Sequence, residues 1–290
     1  MKSPQQVLSS RLPILGGKMA LRHLAETGTI DTIIMATDYK TNRDLFLEAI
    51  ETTQLGVSII PMATLYERSF GKIPVEHIDD QWYAALPAEH GQSVTPLYLV
   101  WRKSIDLLFG LCGTFLLLLI LPLVALLIRL DSPGPIFYSQ PRLGYRGRPF
   151  LIYKFRSMYI DAEQMGKALW SRKHDVRITR MGRFMRATHL DELPQVINIL
   201  RGEMSLIGPR PEREEFVVEL EQSVPFYRCR LMVTPGLTGW AQVKYHYGNT
   251  NRDTLVKLQH DLYYIKHQSI TLDIFIMLKT VQEVLLYRGI

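Results

Sequence analysis

The residues best suited to chemistry lie in Arg186-Ala187-Thr188-His189-Leu190-Asp191-Glu192-Leu193-Pro194-Gln195. Here two adjacent carboxylates precede a proline and then an apolar run, Val196-Ile197-Asn198-Ile199-Leu200. Proline fits the first turn of a helix, where an amide hydrogen would have no partner within the helix. The spacing therefore puts Asp191 and Glu192 at or just before a helix N-terminus, where free N–H groups and the positive end of the dipole favour anions. Two readings follow from these residues alone: the acids only complement the dipole, or an ionised Asp191 faces a phosphate brought to the same place. Neighbours on a helix are offset by about 100°, so Glu192 cannot share the position of Asp191 and needs a separate role.

The flanks favour phosphate. Residues 140–186 carry twelve Lys and Arg, among them Arg142, Lys154, Arg156 and Arg186, against only Asp161, Glu163 and Asp175. Downstream, Arg210 sits between Pro209 and Pro211, which restrict its backbone, and its guanidinium suits bidentate contact with phosphate. Its structural alternative is a pair with Glu212 or Glu214 on a surface turn. The whole chain of 290 residues has a formal net charge of +6. A basic region of this kind serves anionic headgroups or an acidic substrate. Nucleic acid is the weakest of the options, because no recognition helix or aromatic RNA-binding pattern is present, and none is expected as a partner. Two cysteines, Cys112 and Cys229, give no disulfide framework, and no Cys/His spacing suits a metal.

Something must hold this chemistry in place. Leu107 to Ile128 is apolar and uncharged, long enough to cross a hydrocarbon core of about 30 Å at about 1.5 Å per residue. Arg102 and Lys103 precede it and Arg129 follows, so flanking charge does not orient it. Pro122 inside the run removes one backbone hydrogen bond and favours a kink. A straight span and a helix that enters, bends at Leu121-Pro122 and returns to the same face both fit this composition. The turn Asp131-Ser132-Pro133-Gly134-Pro135 ends the helix. At the far end, Ile270 to Leu286 suits either a membrane interface or a helix packed on the core.

The first 80 residues alternate helices and strands: a helix from Lys18 to Thr27 stopped by Gly28, a strand over Ile30 to Thr37, a helix over Arg43 to Gln54, and a strand over Val57 to Ile60. This predicts parallel α/β units. Gly16-Gly17 is not a G-x-G-x-x-G fingerprint, so a structural or regulatory module is favoured over a nucleotide site. Leu65 to Tyr98, broken by Gly71, Pro74, Pro87, Gly91 and Pro96, reads as an irregular linking stretch. No charged segment followed by an apolar core opens the chain, so no cleaved signal peptide is expected.

Four stretches in order carry a resemblance: Lys154-Phe155-Arg156-Ser157-Met158; Leu190 to Gln195; Met204-Ser205-Leu206-Ile207-Gly208-Pro209-Arg210-Pro211; and Pro235-Gly236-Leu237-Thr238-Gly239-Trp240-Ala241-Gln242-Val243. Behind an apolar helix and Asp131 to Pro135, they resemble the bacterial sugar transferases, the monotopic polyprenyl-phosphate phosphoglycosyltransferases, from about Leu99 to the end. The ending, Tyr263 to Gly289, is similar to the exopolysaccharide branch associated with exosortase systems. Thr234 stands where members often carry Arg, and Lys244-Tyr245-His246 where many carry Asn-Gly-Arg, so sugar and uridine contacts are not assigned there.

The resemblance implies an α/β chain with a partial Rossmann-like module at 1–80, a linker at 81–100, a re-entrant membrane helix at 101–130 kinked at Pro122, and a mainly α-helical (α+β) membrane-associated catalytic domain at 131–290. Larger members carry further N-terminal membrane helices, so this chain reads as a short or truncated form. The implied reaction moves a sugar-1-phosphate from a UDP-sugar to polyprenyl (undecaprenyl) phosphate at the cytoplasmic face of the bacterial inner membrane, releasing UMP and starting exopolysaccharide or glycan assembly. It implies Asp191 as nucleophile and ligand of magnesium (Mg2+), and Glu192 as a second catalytic acid of unassigned role. Arg210, Arg186, Lys154 and Arg156 are its implied phosphate contacts. Homo-oligomerisation is left open. The rival class is a non-catalytic membrane-anchored scaffold.

Overall fold

A computed structural model describes residues 14–37, 41–77, 95–160, 175–245 and 250–285. The chain divides into two compact units, Met1–Gly71 and Lys72–Ile290.

In the first unit, α1 (Lys18–Glu26), β1 (Thr32–Met35), α2 (Arg43–Thr52), β2 (Ser58–Pro61) and α3 (Met62–Phe70) follow one another. The strands pair in parallel from Thr32↔Ser58 to Met35↔Pro61, joined through α2 as a βαβ crossover requires. This is the minimal α/β unit. The further strands of a Rossmann-like module are not among the described residues, so the expected partial Rossmann-like module is not confirmed. The stretch read as irregular from Leu65 begins instead inside α3, which Gly71 terminates with φ 61° in the left-handed region.

The second unit begins before its long helix, since Ile73 and Val75 lie in a core with Leu258, Leu262 and Ile265. The expected boundary near residue 80 therefore falls earlier, and residues 81–94 of the expected linker lie outside the described residues. Helix α4 spans Pro96–Asp131, 36 residues, starting five residues before the expected start. Local chemistry sets that start: the Thr95 hydroxyl accepts from the Tyr98 N–H at 3.3 Å, and Pro96 occupies the first turn. The helix runs unbroken through Pro122. By length and composition it is able to cross a membrane.

One stripe of α4 is docked and the rest is bare. Leu117, Val124 and Ile128 pack with Phe155, Met185 and Val196, whereas Leu108, Phe115, Leu119, Leu123 and Leu130 stand exposed. Glycine permits the close approach: a Cβ on Gly113 would lie 2.6 Å from Val196 Cγ1. The polar ends dock too. Arg102 donates to the Ile207 carbonyl at 2.9 Å, and Asp106 accepts from the Leu206 N–H at 2.7 Å. At the other end, Asp131 accepts from the Met181 N–H at 2.9 Å.

Beyond α4, β3 (Phe137–Leu143) and β4 (Pro149–Phe155) form an antiparallel hairpin. Helix α5 (Arg180–Ala187) leads into a 3-10 segment, Leu190–Gln195, and α6 (Val196–Leu200). Strands β5 (Ser205–Ile207) and β6 (Gly236–Thr238) pair in parallel. Between them lie α7 (Glu214–Glu221) and a 3-10 turn, Tyr227–Met232; after them come α8 (Trp240–Lys244), α9 (Asn251–Lys266) and α10 (Ile270–Leu285). Helix α10 packs on the core, burying Ile276 and Asp273 while exposing Phe275, Leu278 and Val281.

Candidate active site

The carboxylates sit where three short elements converge. Pro194 lies within the 3-10 segment rather than opening an α-helix, and α6 begins only at Val196. His189, with φ 57°, turns the chain into that segment. In a 3-10 helix of three residues per turn, neighbours diverge by about 120°, so Asp191 and Glu192 meet different surroundings. Buried Asn198 fixes the segment's exit: its amide donates to the Leu151 carbonyl at 2.7 Å and its oxygen accepts from the Tyr153 N–H at 3.1 Å. This anchors α6 on β4 next to Lys154.

Glu192 is fully engaged. Its Oε1 accepts from Lys154 Nζ and from Arg210 Nη2, each at 2.6 Å. Burial alone would raise its pKa, but Arg210 and Lys154 outweigh burial and hold it well below the usual carboxylate range. Asp191, one residue earlier and 6% exposed, makes no hydrogen bond or ion pair among the described residues. Burial first, and the Glu192 charge second, push its pKa up; Lys154, Arg186 and Arg210 pull the other way. One acid is thus a permanently ionised anchor for two cations. The other is a desolvated carboxylate that no described residue binds, within the field of three cations.

The remaining candidates separate. Arg186 reaches the electrostatic field of Asp191 and donates from Nε to Ser157 Oγ at 2.9 Å. Arg156 does not join the group. Its guanidinium donates to the Ser132 and Pro133 carbonyls, both at 2.6 Å, and closes the end of α4. Strand alternation alone would put Lys154 and Arg156 on one face, but the strand ends at Phe155, so Arg156 follows the turn of the chain instead. Its implied phosphate contact finds no support in this placement.

Arg210 reaches Glu192 because its loop is held on both sides. The Gly236 N–H donates to the Pro209 carbonyl at 2.9 Å, and the Gly208 N–H to the Thr238 carbonyl at 2.8 Å. The two glycine-containing motifs are therefore one structural device, in which β5 and β6 lie so close that a Cβ on Gly236 would come within 2.0 Å of the Gly208 nitrogen. Arg230 and Asp261, absent from the sequence reading, complete the surroundings. An arginine flanked by Cys229 and Leu231, and a carboxylate on the core-facing side of a helix, were the available signals.

No cluster of three or more His, Cys, Asp and Glu able to hold a metal occurs among the described residues. Mg²⁺, however, commonly takes one or two carboxylates and draws its other ligands from substrate phosphates and water. The unengaged carboxylate of Asp191 fits that mode.

A buried carboxylate that no described residue claims thus stands beside a cation-clamped one, in a segment packed against the apolar helix through Leu190 and Leu193. The chain belongs to the bacterial sugar transferase family, whose model matches residues 97–287. It is 39% identical over 230 residues to the UDP-N-acetylgalactosamine-undecaprenyl-phosphate N-acetylgalactosaminephosphotransferase of Aeromonas hydrophila, covering 79% of this chain and 52% of that protein. To the UDP-glucose:undecaprenyl-phosphate glucose-1-phosphate transferase of Escherichia coli (strain K12) it is 38% identical over 211 residues, 69% of this chain and 45% of that protein. It is also 39% identical over 188 residues to the exopolysaccharide production protein PSS of Rhizobium leguminosarum bv. phaseoli, 63% of this chain and 94% of that protein. The chain thus spans about half the length of the first two relatives.

Proposed function

We propose that the chain transfers a sugar-1-phosphate from a UDP-sugar to undecaprenyl phosphate through a phosphosugar-aspartyl intermediate, and so starts exopolysaccharide or glycan assembly. The observation that carries this reading is the division between Asp191 and Glu192: among the described residues Glu192 is bound by two cations and Asp191 by none. A carboxylate oxygen of Asp191 attacks the β-phosphorus of the donor. The bond from that phosphorus to the bridging oxygen breaks, and UMP leaves with the bonding electrons. A phosphate oxygen of the lipid then attacks the same phosphorus, the acyl-phosphate bond breaks, and Asp191 returns as a free carboxylate.

The other groups position and neutralise. Arg210 and Lys154, delivered to one point by Glu192, face the incoming phosphate oxygens; Arg186 adds charge from the other side of Asp191. Asp191 would hold a Mg²⁺ ion, which would supply charge neutralisation at the leaving phosphate.

The two ends of α4 support one membrane placement. Arg102 and Asp106 bind β5, while Asp131 caps α5 of the same unit, so a helix carrying its far end across the bilayer would abandon those contacts. The supported arrangement has both ends at the cytoplasmic face of the inner membrane and the exposed leucines in lipid. Release of UMP in the presence of undecaprenyl phosphate, with UDP-N-acetylgalactosamine and UDP-glucose as first donors of a panel, tests the reading and names the sugar. No UMP from any donor would favour a scaffold role.

A further inference from the structure

Arg210 stands between two prolines, which have no N–H to donate, so its loop depends on donors from elsewhere to fix its carbonyls. Gly236 supplies one, to Pro209. The carbonyl of Arg210 itself accepts from Arg230 Nη2 at 3.0 Å. Arg230 is 7% exposed. Its Nη2 also donates to Asp261 Oδ2 at 2.9 Å, and its Nη1 to the Tyr227 hydroxyl at 2.8 Å. Glu212 Oε1 lies 3.6 Å from Nη1.

Such a pair is costly to assemble. A buried guanidinium needs a buried counter-charge, and removing one partner leaves the other uncompensated. Asp261, 2% exposed on α9, provides it; burial pushes this carboxyl up to about 6 in spite of Arg230. The contact made by this expensive group is a main-chain carbonyl belonging to the residue whose side chain meets Glu192. A purely apolar core would have served packing as well.

We infer that Arg230, braced by Asp261 and Tyr227, is a positioning residue that sets the backbone of Arg210 and through it the guanidinium facing the donor phosphates. This rests on the reading of Arg210 as a phosphate contact. A network of four groups ties α9 and the Tyr227–Met232 turn to the active site without any of Arg230, Asp261 or Tyr227 touching substrate.

A double-mutant cycle tests it, with kcat and KM for the donor that gives fastest UMP release. Single substitutions that act through one shared group are non-additive, whereas independent structural damage adds. Arg230→Lys keeps the charge but loses the fork, and should lower kcat/KM about tenfold or more in the wild-type background, yet less than about twofold in Arg210→Ala. An equal loss in both backgrounds overturns the inference. Arg210→Ala without a loss would instead overturn the phosphate role of Arg210, so the two failures are distinct. Should Arg230→Lys fail to fold, Tyr227→Phe removes only the hydroxyl acceptor of the same guanidinium and carries the same cycle. A loss confined to the Arg210-containing background supports the inference; no loss, or an equal loss in both backgrounds, overturns it.

Discussion

Lys154 on β4 and Glu192 in the 3-10 segment, 38 residues apart in the chain, meet at 2.6 Å on the same carboxylate oxygen that receives Arg210. The consequence is an asymmetry between adjacent acids. Among the described residues Glu192 holds cations and Asp191 holds none. If the assignment of roles is correct, Asp191→Asn abolishes turnover although it keeps size and shape. UMP release measures it, and intact-mass analysis after UDP-sugar alone should find a phosphosugar adduct on the wild type and none on the variant. Turnover of Asp191→Asn within tenfold of wild type, about 1.4 kcal/mol in barrier, would place the attack elsewhere.

The two acids also predict a pH signature of opposite sign. Glu192 has a lowered folded pKa, so its stabilisation is complete above the ordinary glutamate value of 4.5 and is lost as pH falls through the folded value. Asp191 has a raised folded pKa; the folded chain takes up that proton above the ordinary value of 3.8, and acidification there favours the folded state. For catalysis, the protonated nucleophile is inactive, so the acid limb of kcat/KM should lie above 3.8. Glu192→Gln removes the like charge and should move that limb to lower pH while lowering the plateau. A limb that stays in place would mean that another group controls it.

Much of this site was legible in the sequence, and the reasons differ by residue. Asp191, Glu192 and Arg210 are exposed by their neighbours, since prolines confine their backbones and leave few explanations for a charged side chain. Arg156 misled because a cation in a basic strand looks the same whether it faces a phosphate or two carbonyls at a helix end. Arg230 and Asp261 were invisible because their pairing joins residues 31 apart, and no periodicity encodes a tertiary ion pair. The start of α4 was misplaced because the apolar run was weighed above the Thr95-Pro96 cap. In the N-terminal unit, α1, α2, β1 and β2 agree with the sequence reading within a few residues and α3 does not, and two strands do not determine a larger sheet.

The pairing of β5 with β6 makes a packing prediction. Gly236 is required because a Cβ there would run into the main chain of Gly208, with backbone rather than a flexible side chain in the way. Gly236→Ala should destabilise the protein by roughly 1–3 kcal/mol, the usual cost of overpacking. It should also lower activity more than stability at the assay temperature, because the same contact carries the Arg210 loop. Thermal unfolding in nanodiscs, paired with UMP release, separates the two. An unchanged melting temperature would mean that the strands part without cost.

The membrane arrangement can be read directly. Leu97 and Arg129 lie near opposite ends of α4 and are exposed, so cysteines placed there report the side of the membrane each end occupies. The background is Cys112→Ser, because Cys112 is exposed, whereas Cys229 is buried and its thiol is pushed up to about 11 by burial, leaving it unreactive toward maleimide at neutral pH. With both ends docked on one unit, a membrane-impermeant maleimide should label Leu97→Cys and Arg129→Cys in inside-out vesicles and neither in intact spheroplasts. Labelling of the two from opposite sides would establish a straight span. It would then require that either the Arg102–Ile207 contact or the Asp131–Met181 contact be broken in the bilayer. Arg102→Ala distinguishes a topological from a positional role for the first contact: with the ends on one side, it should leave labelling unchanged and lower kcat, because β5 leads into the Arg210 loop.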